Sequence, residues 1–134
     1  MKRILLDTSA YSRLLLGDSH VLDVIDVAEE IRMSVVVLGE LFAGFRGGSR
    51  LEQNISTLHE FLDDPVVTVA KVSEETAEVF GEVKHQLKVA GTPLPLNDVW
   101  IAAQCIEVGA ILITYDAHFK RLPGLRVWEK IGNG

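Results

Sequence analysis

Apolar residues along the chain fall into two kinds of run. Short, nearly continuous ones, Arg3 to Leu6, Val66 to Val69, Ile111 to Ile113 and a weaker Leu125 to Val127, are bounded by polar or turn residues and read as buried strands. Longer ones carry a helical period. In Ser49 to Leu62 the positions Leu51, Ile55, Leu58 and Leu62 recur at helical spacing, and Ser49 with Glu52 has the signature of a capping box. From Ser73 to Ala90 the positions Ala77, Phe80, Val83, Leu87 and Ala90 keep the same period, with Ser73 placed to cap the start and Gly91 to stop the helix before Pro93 and Pro95. A further helix is expected from an Asn97 cap through Val108, closed by Gly109. Another is expected behind Asp18 or Ser19, with Val21, Val24, Ile25 and Ala28 on its inner face. Between Met33 and Leu38 the local signals conflict, because three successive valines favour strand while Gly39 to Gly44 suits a helix. A short strand followed by a helix, with Ser34 as a possible cap, is the expectation there.

Strands alternating with helices, without hairpin turn signals, predict an α/β fold: a three-layer sandwich with a mainly parallel central sheet flanked by helices. Such folds bind ligands beyond the carboxyl ends of their strands. Asp7 follows the first strand and Asp116 follows Ile111 to Ile113, so both carboxylates are expected on one sheet edge. Asp98 falls in the first turn of its helix, where a side chain projects from the end, and Glu40 sits within a turn or two of another helix start.

Composition narrows the class. A length of 134 residues with 48% hydrophobic and 24% charged residues predicts one domain, spanning 1–131, with 132–134 as a frayed tail. No run approaches the roughly 18 consecutive apolar residues of a membrane span, and Ile4-Leu5-Leu6 is cut short by Asp7 before it could serve as a signal-peptide core. Cys105 is the only cysteine, in an apolar run, so a core position in a reducing, cytoplasmic setting is expected. The formal charge of −6 argues against gripping nucleic acid through a broad basic surface. That objection weakens if several of the acids serve a divalent metal, since two bound ions would offset about four negative charges.

Each of those acids has an ordinary structural explanation on its own. Asp7 can cap a helix beginning near Ser9, Asp98 can be a favourable first-turn charge, and Asp116 can cap a short helix through Phe119. Glu40 resists this, since it lies among Val36, Val37, Leu41 and Phe42 and would be costly in a core without a partner. Asp23, Asp26, Glu29, Glu30, Asp63 and Asp64 read as solvated.

Taken together, the acids carry more. Leu5-Leu6-Asp7-Thr8-Ser9, Gly39-Glu40-Leu41-Phe42-Ala43-Gly44, Asn97-Asp98-Val99-Trp100-Ile101-Ala102-Ala103 and Leu112-Ile113-Thr114-Tyr115-Asp116-Ala117-His118-Phe119, in that order and spacing, resemble the PIN-domain nucleases. The VapC-like toxins of bacterial type II toxin-antitoxin pairs are the nearest likeness. It runs from about residue 3 to residue 128 and departs at none of the acidic positions, which implies an intact active site. The resemblance also implies metal-dependent cleavage of RNA, a homodimer, and a cognate antitoxin as partner. Hydrolysis of a phosphodiester needs an activated water and stabilised charge on the phosphoryl oxygens, and hard carboxylate ligands favour Mg²⁺ or Mn²⁺ for both. On that basis Asp7 and Asp98 are expected to be the main metal ligands. Asp116 and Glu40 would complete the site directly or through water, and Thr8, Asn97 and Thr114 would orient the acids or position phosphate.

Other residues say less. Arg13, Arg46 and Arg50 flank the acidic segments and could touch phosphate, His118 stands two residues after Asp116, and Phe42, Phe45 and Trp100 suit packing or base stacking. An exposed apolar surface around Phe42 to Phe45 is expected to serve the homodimer. Competing readings are a PIN-fold nuclease acting on DNA or in RNA processing, and an inactive PIN-fold interaction module. A phosphatase of the aspartyl-phosphate type would want a second aspartate two residues after Asp7, where Ser9 stands.

Overall fold

A computed structural model describes residues 2–129; the tail expected to fray, 132–134, lies outside the described residues. The chain runs β1 (Arg3–Leu6), α1 (Thr8–Leu15), α2 (Ser19–Val27), β2 (Glu30–Ser34), α3 (Val35–Arg46), α4 (Leu51–Leu62), β3 (Val67–Ala70), α5 (Glu74–Ala90), α6 (Leu96–Val108), β4 (Ile111–Ile113) and a short 3-10 helix (Ala117–Arg121). The strands form one parallel sheet in the order β3-β2-β1-β4. Helices α1, α3, α4 and α6 pack on β1, β2, β3 and β4 respectively, which makes the expected layered α/β sandwich.

The interior strand β1 fixes the core. Ile4, Leu5 and Leu6 are all fully buried, as are Met33 of β2 and Leu112 and Ile113 of β4. Each such side chain contributes about 1.5 to 3 kcal/mol by leaving water, so the two inner strands and their neighbours supply much of the driving force. Cys105 is fully buried in the same core, and burial pushes its thiol up to about 12, leaving it unreactive. Among the described residues no helix is long and apolar enough to cross a membrane.

Several local expectations hold. Asp18 caps α2 by accepting from the amides of His20 and Val21, Ser34 caps α3, and Ser73 caps α5 in a capping box completed by Thr76. Gly91 and Gly109 end α5 and α6 in the left-handed conformation, at φ 70° and 68°.

One open choice is settled and three expectations need correction. The valine run is helical: β2 ends at Ser34, whose hydroxyl caps α3, so Val35, Val36 and Val37 form its first turn. Val37, Leu38, Leu41 and Phe45 then follow the helical period into the core, and that packing outweighs the β preference of valine. Helix α4 begins at Leu51 with Arg50 at its cap position and no side-chain cap, which leaves Ser49 one residue too early for a capping box. Helix α6 begins at Leu96 behind Pro95, placing Asn97 inside the first turn rather than at the cap. Finally, Leu125 to Val127 is not a strand; Val127 makes a single parallel bridge to Leu112 at the sheet edge.

Candidate active site

Parallel pairing of β1 with β4, in the register Leu6↔Ile113, brings the ends of both strands to one edge of the sheet. Asp7 starts the loop after β1, and its amide donates to the Ile113 carbonyl at 3.2 Å. The Asp7 carboxylate, only 5% exposed, accepts from the Ser9 hydroxyl at 2.7 Å and the Ala10 amide at 2.9 Å through Oδ1, and from the Thr114 hydroxyl through Oδ2. The Ala10 contact makes Asp7 the N-cap of α1. Thr114 Oγ1 in turn accepts from the Asp116 amide at 2.9 Å. Asp116 caps the 3-10 helix by accepting from the His118 amide, and its Oδ1 lies 2.9 Å from His118 Nδ1. The structural and chemical explanations of these acids are thus compatible, since a capping carboxylate has one oxygen committed and lone pairs to spare.

The other two acids come from the helical layers. Glu40 of α3 accepts from the Thr8 hydroxyl at 2.5 Å through Oε1 and from the Asn97 amide group at 3.2 Å through Oε2. Asn97 therefore ties α3 to the first turn of α6, where Asp98 follows it. Burial pushes the Asp98 carboxyl up to about 6, with the charges of Asp116, Glu40 and Asp7 adding to the rise and His118 opposing it. Asp98 therefore feels all three other acids. Burial also raises Asp7, against the hydrogen bonds from Thr114, Ala10 and Ser9, with the Asp116 charge acting in the same direction as burial. Among the described residues no lysine or arginine forms an ion pair with any of the four.

A cluster of hard, negatively charged oxygen donors with no lysine or arginine ion pair among the described residues is what Mg²⁺ or Mn²⁺ fits. Among the described residues no three acidic, histidine or cysteine side chains already stand at ligand spacing. Asp7 and Glu40 instead accept from the side chains of Thr8, Ser9, Asn97 and Thr114.

Ser9 escaped the sequence reading, although it donates to Asp7, accepts from the Tyr115 amide at 3.1 Å and approaches Thr114 at 3.5 Å. Its signal was the hydroxyl two residues after Asp7, set aside as part of a helix start. Arg46 and Arg50 lie exposed at adjoining ends of α3 and α4. Trp100 stacks on Phe80 with ring centroids 3.9 Å apart. The apolar surface expected around Phe42 to Phe45 is not found, since Phe45 is buried and Phe42 half-buried against it. The strongly exposed apolar side chains are Leu16, Val27, Val89 and Leu96.

Known proteins share both this sheet and these sequences. The family model of the PIN domain matches residues 4–125. Ribonuclease VapC1 of Haemophilus influenzae (strain R2866) is 31% identical over 102 residues, covering 75% of this chain and 74% of its own. Ribonuclease VapC2 of Rickettsia felis is 33% identical over 103 residues, 75% of each chain. This chain belongs to the PIN-domain family and, within it, to the VapC ribonucleases. The crystal structure of VapBC2 from Rickettsia felis bound to a DNA fragment from their promoter matches with a TM-score of 0.82 at 26% identity, covering 94% of this chain and 97% of that one.

Proposed function

We propose that this chain is a divalent-metal-dependent endoribonuclease and the toxin of a type II toxin-antitoxin pair. The observation that carries the reading is that side chains from separate segments link the acids: Thr114 joins Asp7 to the Asp116 amide, and Glu40 accepts from Thr8, next to Asp7, and from Asn97, next to Asp98, with no lysine or arginine ion pair to any of the four among the described residues. Asp7 and Asp98 are the main ligands for Mg²⁺ or Mn²⁺, with Asp116 and Glu40 completing the site directly or through water. When bound, the ion supplies an acidified water and neutralises charge on the phosphoryl oxygens. The chain supplies orientation. Thr114, Ser9 and the Ala10 amide hold the Asp7 carboxylate at the site. Thr8 and Asn97 hold Glu40, leaving it placed to accept a proton from the attacking water. RNA is the substrate, as the names of the VapC relatives support. A cognate antitoxin, a second copy of the chain and a cytoplasmic location complete the reading.

The decisive experiment pairs chelation with mutation. Purified protein should cut labelled RNA with Mg²⁺ or Mn²⁺, lose this in EDTA, and lose it in Asp7→Asn and Asp98→Asn. Undiminished cutting in EDTA, matched by Asp98→Asn, would sink the metal-centred mechanism. Induced expression should arrest bacterial growth, and Asp7→Asn should relieve the arrest.

A further inference from the structure

We infer that Arg13 is a phosphate-positioning residue: its guanidinium, stacked on Tyr115, holds an RNA phosphate adjoining the one that is cut at the acids. The inference rests on the ribonuclease reading above and names a contact that reading does not contain. Ser9 and Arg13 are one turn apart on the same face of α1, and both embrace the segment that follows β4. Ser9 touches Asp7, Thr114 and the Tyr115 amide, while the guanidinium carbon of Arg13 lies 4.7 Å from the Tyr115 ring centroid. Arg13 is six residues beyond Asp7 on a helix that Asp7 caps, about 9 Å along the axis, and its cation lies over Tyr115, the residue before Asp116.

Tyr115 is a fixed platform. Its hydroxyl lies 2.9 Å from both Asp18 carboxylate oxygens, and Asp18 is itself anchored as the cap of α2 by the amides of His20 and Val21. Trp128 packs edge-on against the ring with centroids 5.6 Å apart. A planar guanidinium on such a ring keeps its orientation while its edge donors remain available. The approach of Arg13 to Asp18 is long, 3.9 Å, and the Arg13 side chain is 55% exposed, so the carboxylate steadies the cation without using up its donors. Neighbouring basic groups are otherwise engaged: Lys120 pairs with Glu129 at 3.3 Å, Arg121 donates to the Pro93 carbonyl at 3.1 Å, and His118 lies against Asp116. A chain with formal charge −6 has no general attraction for RNA, so a fixed cation beside the acids has a defined use.

The test compares full-length wild type, Arg13→Gln and Arg13→Lys on a labelled single-stranded RNA of mixed sequence with Mn²⁺, reading kcat and KM separately at several salt concentrations. Arg13→Gln should raise KM about tenfold with kcat within about twofold, and lower the slope of log KM against log salt by about one. Arg13→Lys should keep the salt slope and recover only part of KM, because it retains the charge without the planar stack. A role limited to stabilising the end of α1 would move the melting temperature and leave the salt slope alone. Should Arg13→Gln melt far below wild type, the intermediate KM of Arg13→Lys decides. Wild-type KM and slope in Arg13→Gln, or a loss confined to kcat, overturn the inference while a wild type that cuts RNA leaves the ribonuclease reading standing. A wild type that does not cut RNA removes both.

Discussion

Asp98 bears an electrostatic cost that metal binding would relieve. Its carboxyl titrates near 6 in the folded chain, against about 4 in an unfolded one. Below about pH 4 it is neutral in both states and costs nothing. As pH rises from about 4 to 6 the unfolded chain ionises first, so metal-free wild type loses stability across that window and keeps the full penalty above it. Asp98→Asn removes this dependence. With a discount for partial solvent screening, the metal-free variant should be about 1 kcal/mol more stable than wild type at pH 7, and the gap should close by about pH 4 in thermal melts. Added Mn²⁺ should raise the melting temperature of wild type, and much less that of the variant. Thr114 calls for a different measurement, because its hydroxyl donates to Asp7 and accepts from the Asp116 amide at once. Thr114→Val should cost about 10- to 100-fold in Mn²⁺ affinity, read from cleavage titrated against the ion, and about 1 kcal/mol or more in stability.

Two serines with similar sequence surroundings separate cap from near-cap. Ser73 accepts from the Thr76 amide, and Thr76 donates onward to Glu107 of α6 at 2.6 Å, so the start of α5 is pinned to its neighbour. Ser73→Ala should destabilise the chain by about 1 kcal/mol, whereas Ser49→Ala should change it by less than about 0.5 kcal/mol in denaturant melts. A comparable loss at Ser49 would mean that α4 starts earlier than Leu51. The long periodic helices and the strands β1 and β4 were legible in the sequence because a single local rule specifies each, whereas β2 begins earlier than the Met33 to Leu38 segment in which a strand was expected. The helical start at Val35 to Val37 was not legible from residue preference alone, since the choice there is made by the Ser34 cap that the sequence offered and by the core that receives Val37. Nor was Leu125 to Val127, where pairing stops after one bridge. The sequence also revealed which acids to consider and that two follow parallel strands. It could not reveal that Ser9 links Asp7 to the Tyr115 amide, or that Asn97 reaches across to Glu40, because those contacts join residues 106 and 57 positions apart.

On the scale of the whole molecule, the most exposed apolar side chains among the described residues, Leu16, Val27, Val89 and Leu96, lie outside the Phe42 to Phe45 segment. The proposed homodimer predicts twice the chain mass by light scattering at micromolar concentration, and Phe42→Ala should leave that mass unchanged because Phe42 packs within its own chain. A monomer at that concentration would refute the dimer. The sheet order has another consequence, for timing. β1 and β4 are neighbours although the Thr114 hydroxyl and the Asp7 carboxylate it serves are separated by 107 residues. At a synthesis rate of about 5 to 20 residues per second, roughly 5 to 20 s pass between polymerisation of Asp7 and of Thr114. Throughout that interval the emerging polypeptide owns Asp7, then Glu40, then Asp98, yet has neither the donor that fixes the first nor the Asp116 that completes the set. A nascent chain stalled before β4 should therefore be harmless to RNA, and the ribosome that makes this protein is spared its activity until Thr114 and Asp116 have been added.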